Sequence, residues 1–453
     1  MKSIRIHNPL KLNESMIRAE LLPFESKCDL KPSIAALDDG RMMLCTMNPD
    51  KTRGSDYPVN LSLYRSSDGG RTWSEGEDMG YRNTEPNLDS FDDRIVLAAC
   101  SEVVRGAMPA TTYIRYDMQT GEKTVVRIVV DDLPEKFRVG FKGFSQGSYN
   151  IIKRREDGAL ICILSDGKNE FLAESHDLGL GWTVKEIVHT DPKIRYYNEH
   201  PLYPGCSLFC EAVMFYSPSG RLMAFARIEP SGFGDYAIPH FHDRKNCPNF
   251  DNYDALVLLQ SNDGGLGWEL LRGFGCTGMM YPSVAVLSGN EMLVTYTLRA
   301  IPPENENYPY PHMGLHGIVV TENSDGSFEC DFNHDLIILD DSTPDFATTG
   351  SPYGRIVQLS DASFISPFSY TYFSDELLQW LKEKQYWNSA IYEALRARVA
   401  PLVPGYGDES RFTYERTPKT DFYLRHHFAD YMCASLGMKK NLVAIWKWRL
   451  DRK

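Results

Sequence analysis

An eight-residue pattern that returns three times constrains this chain more than any other feature. Ser66-Ser67-Asp68-Gly69-Gly70-Arg71-Thr72-Trp73 reads S-x-D-x-G-x-T-W. Ser175-His176-Asp177-Leu178-Gly179-Leu180-Gly181-Trp182 and Ser261-Asn262-Asp263-Gly264-Gly265-Leu266-Gly267-Trp268 lose only the Thr. The order has a physical logic. Short Ser and Asp side chains hydrogen-bond the backbone of a tight turn. Gly accepts the left-handed conformation that the turn needs. Trp then packs the hairpin against its own sheet. Three copies make a repeat, and a repeat dictates architecture.

A second repeat interleaves with the first. It is an apolar, β-rich run, a polar turn, and another apolar run. Six segments fit: Pro32 to Met47, Pro86 to Ala99, Ser148 to Leu164, Ala212 to Arg227, Pro282 to Leu298 and Arg355 to Tyr370. Turn signals such as Asp38-Asp39-Gly40, Glu156-Asp157-Gly158 and Ser217-Pro218-Ser219-Gly220 sit where hairpins want them. The segments recur every ~54 to ~73 residues, the length of one four-stranded blade plus loops. Six units predict an all-β chain folded as a six-bladed β-propeller, one domain over residues 1–453. Degenerate turns, Tyr116 to Gly121 and Thr321 to Gly326, stand in for the octet after the second and fifth segments. Ser3 to Ile6 and Leu442 to Leu450 read as strands, and pairing first with last strand in one blade would close the ring and remove its edges. A pair of irregular sandwiches would also use six β-rich segments, but would not explain octets at blade spacing.

Composition narrows the partners. The net charge is −13, which argues against nucleic acid or an anionic membrane surface. It leaves room for a small anionic substrate in a local basic pocket. No window is long and apolar enough to span a membrane. The first residues lack the apolar core of a signal peptide, and ten cysteines without one read as reduced thiols, so the expected location is cytoplasmic.

One stretch breaks the β pattern. From Ser374 to Val399 the periodicity is helical, without Gly or Pro, and Pro401 and Pro404 then stop it. This predicts a helical insertion in the last blade, over residues 372–425. Its expected role is a cap or a contact with another copy, as in a homo-oligomer. A second insertion, Glu229 to Asp254, reads as a loop rich in Pro, His, Phe and Asp.

The octet is the Asp-box (BNR repeat), and with the blade spacing the chain resembles the sialidase (neuraminidase) superfamily over almost its whole length. Two further segments sharpen the resemblance. Glu211 precedes an apolar strand and Arg227 ends its hairpin partner, so both would lie on one face of the ring. The resemblance makes Glu211 the base that activates a tyrosine nucleophile, and Arg227 one of three arginines gripping a substrate carboxylate. Tyr353-Gly354-Arg355-Ile356 is similar to the family segment that supplies the tyrosine, which implies that Tyr353 attacks. A Glu that takes the phenol proton lets a neutral phenol approach an anionic sugar with less repulsion than a carboxylate would meet. The family's general acid lies before the first octet, where both Asp50 and Asp56 stand.

The departures bear on substrate. Leu30-Lys31-Pro32 replaces the family's R-I-P, and His312 to Ile318 contains no arginine where the third is expected. A lone Arg grips a carboxylate less well than a triad of bidentate forks. Arg355, Arg299 and Lys31, with His240 and His242 from the loop, are candidates to rebuild a basic pocket for another acidic sugar. The expected activity is an exo-acting glycoside hydrolase on a terminal, acidic sugar other than sialic acid, with carbohydrate as partner and no cofactor. A uronate lyase using a His with Tyr353, and a non-catalytic sugar-binding propeller, are the alternatives. Asp68, Asp177 and Asp263 read as turn residues far from the axis. His240, His242 and Cys247, and Cys206 with Cys210, match no metal-ligand spacing, so no metal is expected.

Overall fold

The computed structural model describes residues 15–25, 30–48, 60–101, 111–128, 132–138, 145–146, 148–165, 169–191, 211–228, 255–274, 279–298, 314–330, 335–340, 355–373 and 439–452. Their ladders sort into six antiparallel units. Blade one holds Leu30–Ala36, Met42–Asn48, Asn60–Ser66 and the first part of Glu77–Phe91. That long strand slips register between Arg82 and Asn87 and continues as the first strand of blade two. Ile95–Ser101, Thr111–Asp117 and Lys123–Ile128 complete blade two. In blade three, Ser145–Gln146 and Ile152–Lys153 both pair with Leu160–Ser165, followed by Glu170–Ser175 and Thr183–Ile187. Blade four is Val213–Tyr216, Leu222–Ile228, Ala255–Ser261 and Gly267–Phe274, with His189–Thr190 added in parallel outside. Blade five is Met279–Val286, Glu291–Leu298 and Gly314–Glu322, with Phe328–Glu329 and Leu336–Asp340 sharing the fourth position.

Blade six closes the ring. Val357–Gln358 and Phe364–Phe373 come from late in the chain, Lys439–Arg452 from its end, and Ser15–Leu22 pairs antiparallel outside the last, with Ser15 opposite Arg452 and Leu22 opposite Ile445. The expected closure is therefore present, made by Ser15–Leu22. The Ser3 to Ile6 segment lies outside the described residues, as do residues 374–438, which hold nearly all of the helical insertion. Phe364–Phe373 stays in the ladder to its end, where aromatic and β-branched Tyr370, Thr371, Tyr372 and Phe373 pair with Asn441, Lys440 and Lys439 and their neighbour Leu442.

Apolar clusters seal every junction around the ring. Leu88 and Val96 meet Met43 and Leu63 between blades one and two. Leu97 and Tyr113 meet Leu160 and Phe171 between two and three, and Ile161 and Leu172 meet Ala224 and Trp268 between three and four. Phe225 and Phe274 meet Val294 and Tyr296, Leu293 and Ile338 meet Phe364 and Trp448, and Ile365 and Ile445 meet Leu44 and Tyr64. Six blades thus share six seams, with blade six sealed to blade one. Among the described residues no helix is long and apolar enough to cross a membrane.

The three octets join the third and fourth strands of blades one, three and four. In each, the Ser hydroxyl donates to the Asp carboxylate and accepts the backbone N–H of the fifth residue: Gly70, Gly179 and Gly265, all at 2.9 Å. The Asp also accepts the N–H of Thr72, Gly181 or Gly267. Thr72 adds its hydroxyl to Asp68 at 2.6 Å, the chief reason that this carboxyl is held down to about 2. Two octets close with the indole N–H on the fifth residue's carbonyl, Trp73 on Gly70 and Trp268 on Gly265. The fifth glycine has a second task. At Gly179, with φ +85°, an added Cβ would sit 2.8 Å from Leu97 of the preceding blade. At Gly70, with φ +84°, it would sit 2.7 Å from Leu22 of the closing strand. Backbone conformation and blade-to-blade approach both demand glycine there.

Candidate active site

The first strand of each blade lies at the ring's centre, because these strands bond to one another. Ser33 accepts the N–H of Leu88, Asp89 that of Ile151, and Ser283 that of Ile356. Asn150 exchanges two bonds with the backbone of Met214, at 2.7 and 2.8 Å. One polar residue near the start of each of these strands thus clasps the next blade. The residues just before the clasp face an unusual demand on their backbone. Lys31, Glu211 and Tyr281, at or near the start of the first strands of blades one, four and five, are all left-handed, with φ of 46°, 54° and 51°. Such conformations are costly for non-glycine residues and gather at functional sites.

Glu211 is the centre of the cluster. Arg227, at the far end of the hairpin that Glu211 opens, donates Nη1 to its Oε1 at 2.8 Å, with the two side chains 14% and 12% exposed. Tyr281, from blade five, lies with its hydroxyl 3.5 Å from the same oxygen. Tyr149, from blade three, donates its hydroxyl to that of Tyr281 at 3.2 Å, and the two rings stack with centroids 5.4 Å apart. The other carboxylate oxygen of Glu211, Oε2, is buried and has no hydrogen-bond partner among the described residues. Buried carboxylate oxygens rarely stay so unless a further donor arrives.

Arg355, expected to help line a basic pocket, is bonded to two other blades. Nη1 donates to the carbonyl of Tyr149 at 2.9 Å, and Nη2 to Asp89 Oδ1 at 2.7 Å. It braces blade six against blades two and three, and Asp89 in turn holds Asn87 and Ile151. Lys31 is buried. Strand alternation does not apply to it, because register slips between Leu30 and Ser33. Leu30, where the resemblance expects an arginine, is fully buried in the seam between blades one and two. Tyr353, Asp50, Asp56, Arg299, His240 and His242 lie outside the described residues.

Sequence reasoning missed Tyr281, Tyr149 and Asp89. A signal existed for the first. Lys31-Pro32-Ser33 and Tyr281-Pro282-Ser283 share a pattern, with the clasp Ser two residues after the left-handed position. Among the described residues no group of three or more His, Cys, Asp and Glu could hold a metal ion. Cys45, Cys100 and Cys162 are buried thiols and Cys330 is half-buried, and burial pushes Cys162 up to about 12, far from the reactive thiolate range.

No protein-family model matches the chain, and no curated protein matches it by sequence. Several solved structures align with it at low identity. A protein of unknown function from Dyadobacter fermentans aligns with a TM-score of 0.48 and 16% identity, over 78% of this chain and 94% of that one. The NanB sialidase of Streptococcus pneumoniae aligns at 0.45 and 12%, over 77% and 67%. A GH43_1 enzyme from Xanthomonas citri, complexed with xylose, aligns at 0.38 and 9%, over 70% and 94%. At these scores the fold rests on the chain's own ladders and seams. What can be said of chemistry comes from this cluster: a half-coordinated carboxylate, tied to an arginine and a phenol, where residues of blades three, four and five meet.

Proposed function

We propose that the chain is a sialidase-like exo-glycoside hydrolase acting on an acidic terminal sugar. Glu211 is the base, Tyr353 the attacking phenol, and Asp50 or Asp56 the general acid. The observation that carries this reading is the Oε2 of Glu211, buried on the axis and open to one more donor. Counting along the chain supports Tyr353 as that donor. It stands two residues before Arg355, as Tyr281 stands two before Ser283 and Glu211 two before Val213. In the reaction Oε2 takes the phenolic proton as the phenolate attacks the anomeric carbon. The leaving oxygen takes a proton from the acid, and water then releases the sugar. Arg227 contributes positive charge for the sugar's acidic group. Because Arg355 is engaged by Asp89 and Leu30 is apolar, sialosides are expected to be poor substrates.

Aryl glycosides of neutral sugars, uronates and sialic acid, assayed for released phenol, test this. Hydrolysis of an acidic glycoside that disappears in Glu211→Gln supports the reading. A conjugated product absorbing in the ultraviolet would instead mark elimination, and sugar binding without turnover would mark a lectin-like propeller. Normal turnover of sialosides would refute the substrate assignment.

A further inference from the structure

Glu211 meets a phenol from another blade, which in turn meets a second, and the proposed mechanism uses neither. Tyr281 lies against Oε1, and Tyr149 lies against Tyr281. The contact is not a by-product of neighbouring ladders. Tyr149 and Tyr281 are 132 residues apart, Tyr281 and Glu211 are 70 apart, and they come from blades three, five and four. Nor is it simple filling of space. Both Tyr281 and Glu211 hold left-handed backbones, and Tyr281 does so directly before Pro282. A ring that only filled the core would need neither that backbone nor a hydroxyl against a carboxylate. Arg355 fixes the carbonyl of Tyr149, so the outer phenol is itself anchored from across the ring.

We propose that Tyr281, backed by Tyr149, is a positioning residue for Glu211. Its hydroxyl and Arg227 together hold Oε1. The carboxylate is thereby locked in the rotamer that leaves Oε2 for the reacting tyrosine. This inference rests on the hydrolase reading for its consequence in turnover, but not for its effect on Glu211 itself.

Two measurements separate the two ideas. The first is turnover of whichever aryl glycoside the wild type hydrolyses. Tyr281→Phe should lower kcat about tenfold with little change in KM. Tyr149→Phe keeps the stacked ring and removes only the outer hydroxyl, so it should lower kcat the same way by less. The second is the carboxyl resonance of Glu211, followed by NMR of protein carrying 13C-labelled glutamate, with Glu211→Gln used to assign it. Its chemical shift should move in Tyr281→Phe, which takes a donor from the carboxylate, and move less in Tyr149→Phe. If the resonance stays put in both variants, the phenols are packing residues and the proposal falls, whatever their melting temperatures do. If it moves but no glycoside is turned over, the positioning stands and the hydrolase reading falls.

Discussion

Two arginines at opposite ends of one strand in blade four each pair with a glutamate, Arg221 with Glu322 of blade five and Arg227 with Glu211 of its own blade. The pairs differ in one respect that matters. Arg221 precedes the strand that Arg227 nearly ends. Glu322, paired with Arg221, is saturated: Oε1 accepts both Nε and Nη2 of Arg221 and the hydroxyls of Ser217 and Ser219, while Oε2 accepts the N–H of Ser219. Glu211, paired with Arg227, is coordinated through Oε1, and Oε2 has no described partner. A carboxylate that only joins blades is surrounded by donors, since each buried lone pair left open costs free energy. A carboxylate meant to take a proton must keep an oxygen available. The difference between the pairs lies in what else reaches the carboxylate, not in their residue types.

The largest expected effect breaks this contrast at the functional end. Glu211→Gln keeps the shape and removes the proposed base, so kcat/KM should fall by about 10²- to 10⁴-fold. The urea midpoint should move little. Activity within threefold of wild type would mean that Glu211 is another seam residue like Glu322. At the structural end, Glu322→Ala should leave kcat/KM nearly unchanged. It should lower the unfolding free energy by about 3 kcal/mol, because Arg221, Ser217 and Ser219 lose their shared acceptor. A stable variant with reduced turnover would reverse the assignment of the two pairs.

Gly179→Ala tests the rim without touching either pair. The alanine must adopt φ +85° and place its methyl 2.8 Å from Leu97, so a loss of about 2 kcal/mol in denaturant unfolding is expected, again with normal kcat. An unchanged midpoint would show that the octet turn is more plastic than its hydrogen bonds suggest.

The smallest effect sharpens the contrast through pH. Burial pushes the Glu322 carboxyl up, but the bonds from Ser219, Arg221 and Ser217 outweigh it and leave it below its ordinary 4.5. A carboxyl held low in the folded state adds stability at pH values above 4.5, and that addition is lost as pH falls through its folded value. Wild type should therefore lose stability below pH 4.5 more steeply than Glu322→Gln, as read from unfolding curves at successive pH values. Parallel slopes would show that Glu322 is not held low.

The sequence by itself determined the parts of this protein whose causes are local. Octet turns form through bonds between residues two to four apart, such as Ser66 with Asp68 and Gly70, so their pattern can be read directly from the chain. The six blades follow from apolar, β-rich runs separated by turn residues. Closure follows from a β-rich start and end, although which early residues pair was decided by register with Lys439–Arg452. Glu211 and Arg227 were legible because one hairpin carries both. Tertiary structure alone decided the rest of the axial cluster. Arg355 reaches Asp89 across 266 residues, and Tyr149 reaches Tyr281 across 132. In a propeller each first strand brings only its opening residues to the axis. Which of them meet depends on how six blades close around it, a constraint that no local window of sequence contains.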